Sequence, residues 1–172
     1  MIYRTRTYVA GDWSGDAIAI KKLYEWNDSN YLNLSFTDAH LLTQARDDSL
    51  KCSIKKSLKE RMNSSKTFIL VVGEQTNKLT EGGCQLCQSY NSWCSYCAGG
   101  YSIDYRSYIK YECDKAVEAG IKLVILYNST IIDKSKCPEL VRNLGVHINM
   151  MYVGPDGNKR WNYKKIKDAL EE

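Results

Sequence analysis

The sequence predicts a doubly wound α/β fold of the flavodoxin-like kind, with five parallel strands in the order 2-1-3-4-5. Three observations lead there. The run "KTFILVVG" is continuously apolar, rich in β-branched residues and closed by glycine, the signature of a strand covered on both faces of a parallel sheet. In "SLKCSIKKSLKERMNSS", Leu50, Ile54, Leu58 and Met62 keep a strict four-residue step, which is one face of an amphipathic helix. Strand-like and helix-like segments alternate along the chain, which favours parallel strands joined by crossover helices.

Taken in order, "RTYVAGD" reads as a short strand ending at Gly11. "DAIAIKKLYEWNDS" follows as a helix with Ile18, Leu23 and Trp26 at roughly helical spacing. "NLSFTDA" is expected to be the second strand, and "HLLTQARDD" a polar loop. The Leu50–Met62 helix comes next, with Asp48 or Ser49 as its cap and Lys59 and Arg61 near its negative end. "KTFILVV" is the central strand. "DYRSYIKYECDKAVEAG" is a helix, "KLVILYN" a fourth strand, "VHINMMYVG" a fifth, and "NYKKIKDALEE" a closing helix. Between the fourth and fifth strands, "STIIDKSKCPELVRNLG" suits either a short helix or a loop.

A chain of 172 residues is long enough for one domain with its own core, and residues 1–172 are read as a single domain. The longest apolar stretch, "FILVV", is too short to cross a bilayer, and the N-terminal sequence lacks a signal-peptide run, so a cytoplasmic location is expected. The net charge of +4 is a mild excess over a nearly balanced background, and it gives no reason to expect a nucleic-acid partner. The basic face of "KCSIKKSLKER" reads as the solvated side of a surface helix.

One segment breaks the alternation. About residues 80–105 form a cysteine-rich insertion, far longer than the usual connection in such a fold. Its Cys84, Cys87, Cys94 and Cys97 make a C-x2-C-x6-C-x2-C array flanked by paired glycines. Two thiolates two residues apart point at one ion, and four fit a closed tetrahedral zinc site; a redox arrangement and unmetallated packing are the alternatives. Cys52, Cys113 and Cys137 read as packing residues.

Glu112 is the residue that needs explaining. It sits beside the apolar stripe of Ile109, Cys113, Ala116 and Val117, one turn after Ile109 and one turn before Ala116. Carboxylates are rarely buried uncompensated, so it either turns outward, pairing with Lys115, or lines a cleft. In an open parallel sheet the cleft lies beyond the carboxyl ends of the strands, where the strand order reverses. The loop "AGDWSGD" meets the Glu112 helix there. Asp12 and Asp16 are placed to hold a ribose hydroxyl and Trp13 to stack on a base, against the plainer readings of a helix cap and an aromatic lid. Asp38 and Arg46 flank the loop after the second strand, where a solvated loop is the plainer reading. His40 and His147 read as structural.

The strand with its small polar loop, "SSKTFILVVGEQT", and "YIKYECDKAVEAG" followed by "KLVILYN" together resemble the TIR-like domains of bacterial antiphage defence, in particular the ThsB type of Thoeris systems. The resemblance covers about Thr7 to Asn128. The helix start "YIKYE" matches the family's aromatic-x-x-Glu motif, with other residues where many relatives carry tryptophan, and the cysteine-rich insertion departs from the common pattern. The resemblance implies that Glu112 cleaves NAD and that Asp38 and Arg46 lie where relatives contact nucleotide or a neighbouring subunit. It also implies that the product is an ADP-ribose derivative, a diffusible signal activating a separate effector, and it leaves room for a homo-oligomer. A non-catalytic TIR-type assembly module is the alternative. A phosphoacceptor receiver domain is disfavoured because the third strand ends "VVGEQ" without an aspartate, and a deoxyribosyltransferase also uses a glutamate in a similar fold.

Overall fold

The computed structural model describes residues 4–39, 50–93, 96–97, 100 and 102–172. Its centre is a parallel sheet of four strands, β1 (Arg6–Ala10), β2 (Ser65–Val72), β3 (Lys122–Tyr127) and β4 (Val146–Asn149), hydrogen-bonded in that order. The apolar run that reads as the central strand is β2, paired in parallel with β1 on one side and β3 on the other. Apart from Ser65 and Lys66 at its start and Thr67, its residues are apolar and buried.

Helices cover both faces. Residues alternate across each strand, so Tyr8, Ala10, Phe68, Leu70, Ile125 and Tyr127 point to one side. There they pack on α2 (Lys51–Asn63) and α3 (Tyr108–Glu118). Val9, Ile69, Val71, Val124 and Leu126 point to the other side, under α1 (Ala17–Asp28) and α4 (Tyr163–Glu171). Fully burying a leucine or phenylalanine side chain is worth about 2 kcal/mol, so these two layers hold the sheet. Helix α2 begins after Leu50, which makes no side-chain cap, and the expected caps Asp48 and Ser49 lie outside the described residues.

Two expectations need correction. The segment expected as the second strand contributes a single parallel bridge, Thr7 to Asp38, with the Thr7 amide donating to the Thr37 carbonyl at 2.8 Å. It lies on the side of β1 away from β2, so among the described residues the outer position of the expected order holds a bridge and not a fifth strand. The cause is local. Asn33 and Ser35 have positive φ values of 35° and 56°, which interrupts extended backbone. The Asn27 amide also takes both polar groups of Phe36, accepting from its N–H at 2.8 Å and donating to its carbonyl at 3.0 Å. Those groups point away from β1, because the bridge uses the neighbouring Thr37 carbonyl, and the contact ties the segment to α1.

The run expected as one fifth strand is divided. Val146–Asn149 joins the sheet as β4, and Met151–Val153 (β5) turns away to pair antiparallel with Lys159–Trp161 (β6). Gly157, at φ 76°, closes the turn between them. The connection from β3 to β4 holds two 3-10 turns, Lys134–Lys136 and Glu139–Val141, in place of a crossover helix. Among the described residues no helix is long and apolar enough to cross a membrane.

Among the described residues, the segment between β2 and α3 holds two 3-10 turns, Thr76–Lys78 and Cys84–Leu86, and a bridge between Tyr96 and Ser102. It is fastened at its ends. The Cys84 amide donates to the Asp104 carbonyl at 2.9 Å, and the Tyr108 amide donates to the Glu81 carbonyl at 2.8 Å.

Candidate active site

Helix α3 starts at Ser107, whose side chain caps it by accepting from the Lys110 amide at 3.2 Å. From that start the 3.6-residue period carries Ile109, Glu112 and Ala116 onto the face that meets the sheet, and all three are buried. Glu112 is only 7% exposed, and the Tyr8 hydroxyl donates to its Oε1 at 2.5 Å. Burial first, and then the Glu112 carboxylate, raise the Tyr8 hydroxyl well above its ordinary pKa, so Tyr8 stays a donor. Glu112 is thus an inward-facing acid compensated by a buried phenol.

A cavity of about 260 Å³ opens beside it. Gly11, Asp12 and Trp13 form the wall after β1, Leu58 the α2 side, and Glu81 and Tyr108 the wall facing the insertion. It lies beyond the carboxyl end of β1, where such folds place ligands. Packing at Gly11 is close: a Cβ there would come within 3.1 Å of Ile20 and 3.2 Å of Val71, so a larger residue would push these side chains back. The Asp12 carboxylate accepts from the Ser14 amide at 3.0 Å and shapes the loop. Trp13 is half exposed at the rim, its ring 6.0 Å from that of Tyr24.

The remaining candidates stand elsewhere. Asp16 is buried and does not line this cavity; its Oδ1 accepts from the Asn128 amide at 2.7 Å, tying the loop after β1 to the end of β3. It presses on Gly73, where a Cβ would fall 2.0 Å from its carboxylate. Asp38 accepts from the Tyr24 hydroxyl at 2.9 Å and borders a separate cavity that also reaches Trp13. Arg46, His40 and Cys94 lie outside the described residues. His147 bonds Tyr127 and the Leu144 carbonyl, in keeping with a structural role.

Of the other array members, Cys84 is buried and accepts from the Asp104 amide at 3.2 Å, and Cys87 and Cys97 are half-buried. The Cys97 thiol lies 3.5 Å from that of Cys52, a residue read from sequence as packing only. Among the described residues no three metal-ligating side chains come together. Sequence reasoning also missed Tyr8, Glu81 and Tyr108. Tyr8 carries no signal in an apolar strand, while Glu81, beside the paired glycines that open the insertion, offered a faint one.

Residues 8–81 match the family model described as the Thoeris protein ThsB, TIR-like domain. Over that stretch, somewhat under half of the chain, the sequence is similar to the ThsB-type TIR-like domain. The match begins at the phenol that holds Glu112 and runs through the loop after β1, α2 and β2 to Glu81 at the cavity wall. It therefore covers much of the site and ends before α3, so Glu112 stands on its geometry. No curated protein matches the chain.

Proposed function

We propose that this TIR-like domain cleaves NAD between nicotinamide and ribose, as the enzyme of a Thoeris-type antiphage defence. In this reading it releases an ADP-ribose-derived, cyclic signal for a separate effector. The observation that carries the reading is the buried Glu112 carboxylate, held by Tyr8 at the wall of a cavity beyond the strand ends.

Breaking the bond to nicotinamide builds positive charge on the anomeric carbon and ring oxygen, as in glycoside hydrolysis, and a fixed carboxylate stabilises that charge. Nicotinamide leaves neutral from a cationic precursor, so no general acid is required. Tyr8 orients Glu112, Asp12 is placed to accept from a ribose hydroxyl, and the exposed face of Trp13 offers a stacking surface for a ring. In the same reading Asp16 supports the loop, and Asp38 and Arg46 belong to a nucleotide or subunit contact.

The test is mass spectrometry of NAD incubated with the purified protein, with and without infected-cell lysate. The wild type is expected to form product. Glu112→Gln, which keeps size and deletes charge, is expected to fold and bind NAD but to lose on the order of a hundredfold or more in rate. Equal product from a folded Glu112→Gln variant would refute the assignment. One observation favours the second reading, an assembly module. The cavity of about 260 Å³ is below the roughly 300–1,000 Å³ typical of small-molecule sites. Self-association together with a wild type inactive under every trigger would decide for that module.

A further inference from the structure

Helices α2 and α3 flank a second cavity, of about 440 Å³, on a neighbouring face, and it shares no lining residue with the Glu112 cavity. Five cations line it, Lys55, Lys56, Lys59, Arg106 and Lys115, with Asp104 among them; three carboxylates pair with the cations, Asp104 with Lys55 and Arg106, Asp114 with Arg106, and Glu118 with Lys115, which leaves Lys56 and Lys59 in excess. The five cations come from two helices and the end of the insertion, so this is a convergence and not the solvated side of one helix.

The convergence is built into the fold. The Lys55 side chain is 5% exposed, and its ammonium donates to the carbonyls of Asp104 at 3.2 Å and Arg106 at 2.6 Å. That fixes the loop bearing Arg106 beside α2. The Arg106 guanidinium is oriented by Asp104, at 3.0 and 2.8 Å, and by Asp114. Below them the buried Tyr111 ring takes three cations on its surface, Arg106 at 5.0 Å, Lys55 at 5.5 Å and Lys115 at 5.6 Å from its centre. A ring quadrupole attracts each cation but does little to relieve their mutual repulsion. Lys56 and Lys59 are exposed at the rim, and neither is in an ion pair among the described residues.

We propose that this cavity binds a small, multiply charged phosphate anion, with Arg106 and Lys115 at its floor and Lys56 and Lys59 closing over it. Several fixed donors around one concave space suit phosphate oxygens, which accept charge-assisted hydrogen bonds from all sides. The basic side chains gather in one short depression between two helices, which suits a compact anion better than the extended backbone of a nucleic acid, which calls for a groove. An anion there would draw α2 toward α3, the two helices that also wall the Glu112 cavity. The proposal does not depend on NAD cleavage.

Calorimetric titration of the full chain tests it, with inorganic pyrophosphate, ATP and a single-stranded oligonucleotide as probes. Pyrophosphate or ATP is expected to bind with a stoichiometry of about one, more weakly as salt is raised. The first alone would point to free polyphosphate, the second alone to a nucleotide. The Lys56→Glu/Lys59→Glu variant is expected to lose about tenfold or more in affinity. Both positions are exposed, and thermal melting will verify that the variant folds. Glu112→Gln is expected to bind the anion as the wild type does, which separates this site from the NAD site. Absence of binding by both phosphate probes, equal affinity in the lysine variant, or tighter binding of the oligonucleotide would overturn the proposal.

Discussion

The contact between Tyr8 and Glu112 joins β1 to α3 across 104 positions of sequence, and it gives a buried acid a hydrogen-bond partner that fixes its orientation. Tyr8→Phe removes the donor and keeps the ring. We expect it to cost about 1–3 kcal/mol in denaturant unfolding, the usual penalty for leaving a buried polar group short of a partner. We expect NAD cleavage to fall by about tenfold because Glu112 loses an orienting contact. Unchanged stability and turnover together would show that Tyr8 is only packing. Asp16 makes a second residue-scale case. Burial raises its carboxyl above the ordinary value of 3.8, nearby Asp12 and Glu74 add to that, and the Asn128 bond partly offsets it. A carboxyl raised in the folded state contributes stability below the unfolded pKa, and that contribution is lost as pH rises through the folded one. Asp16→Asn should therefore be more stable than the wild type near neutral pH, with the difference closing toward about pH 4. Urea midpoints at the two pH values check this, and a pH-independent difference would contradict it. Glu112 was legible in the sequence because a charge beside an apolar stripe breaks a pattern. Tyr8 was not, because a tyrosine in a buried strand breaks none.

At the scale of elements, legibility followed periodicity. The central strand and all four helices stand where they were expected, since burial on a sheet face is what apolar spacing encodes, except that Ile18, read into the apolar face of α1, is 76% exposed and Ala19 and Ile20 are buried instead. The outer strand failed for a reason no window of sequence contains. "SFT" alternates like a strand, but Asn33 and Ser35 take positive φ values of 35° and 56°, a backbone turn that alternation does not report. The hairpin of β5 and β6 was a different miss. Its turn, "GPDGN", carries the proline-aspartate-glycine signature of a tight turn, and the long apolar reading of "VHINMMYVG" hid it. The cap of α3 is where an element bears on the site. Ser107→Ala removes the bond to the Lys110 amide at a buried position, at an expected cost of about 1 kcal/mol in thermal or chemical unfolding. Ser107→Asp restores an acceptor and should recover most of it. Failure of the aspartate to rescue would assign the loss to packing around Ser107 and not to the cap.

For the molecule as a whole, what matters is how the insertion is held against the core, because Glu81 at its start lines the Glu112 cavity beside Tyr108 of α3. Backbone bonds from Cys84 to Asp104 and from Tyr108 to Glu81 anchor it, and Lys55 pins its last residues to α2. These contacts need no metal. The C-x2-C pairs nevertheless have the spacing of a zinc site, whereas the Cys97 thiol rests against Cys52, which lies outside that array. The two arrangements differ in what they require of each cysteine. A closed site built from Cys84, Cys87, Cys94 and Cys97 predicts about one zinc per chain, lost in Cys84→Ser/Cys87→Ser and retained in Cys52→Ser. Elemental analysis of the freshly purified proteins measures this directly, and a wild type free of metal would end the zinc proposal and leave the thiol contact as the fastening. If zinc is present, a chelator should loosen the insertion without unfolding the sheet, because the two apolar layers on β1 to β4 are built from residues outside it. Far-ultraviolet circular dichroism should then change little while NAD cleavage falls with the loss of the Glu81 wall. A chelated protein that unfolds cooperatively would instead make the metal part of the core's stability.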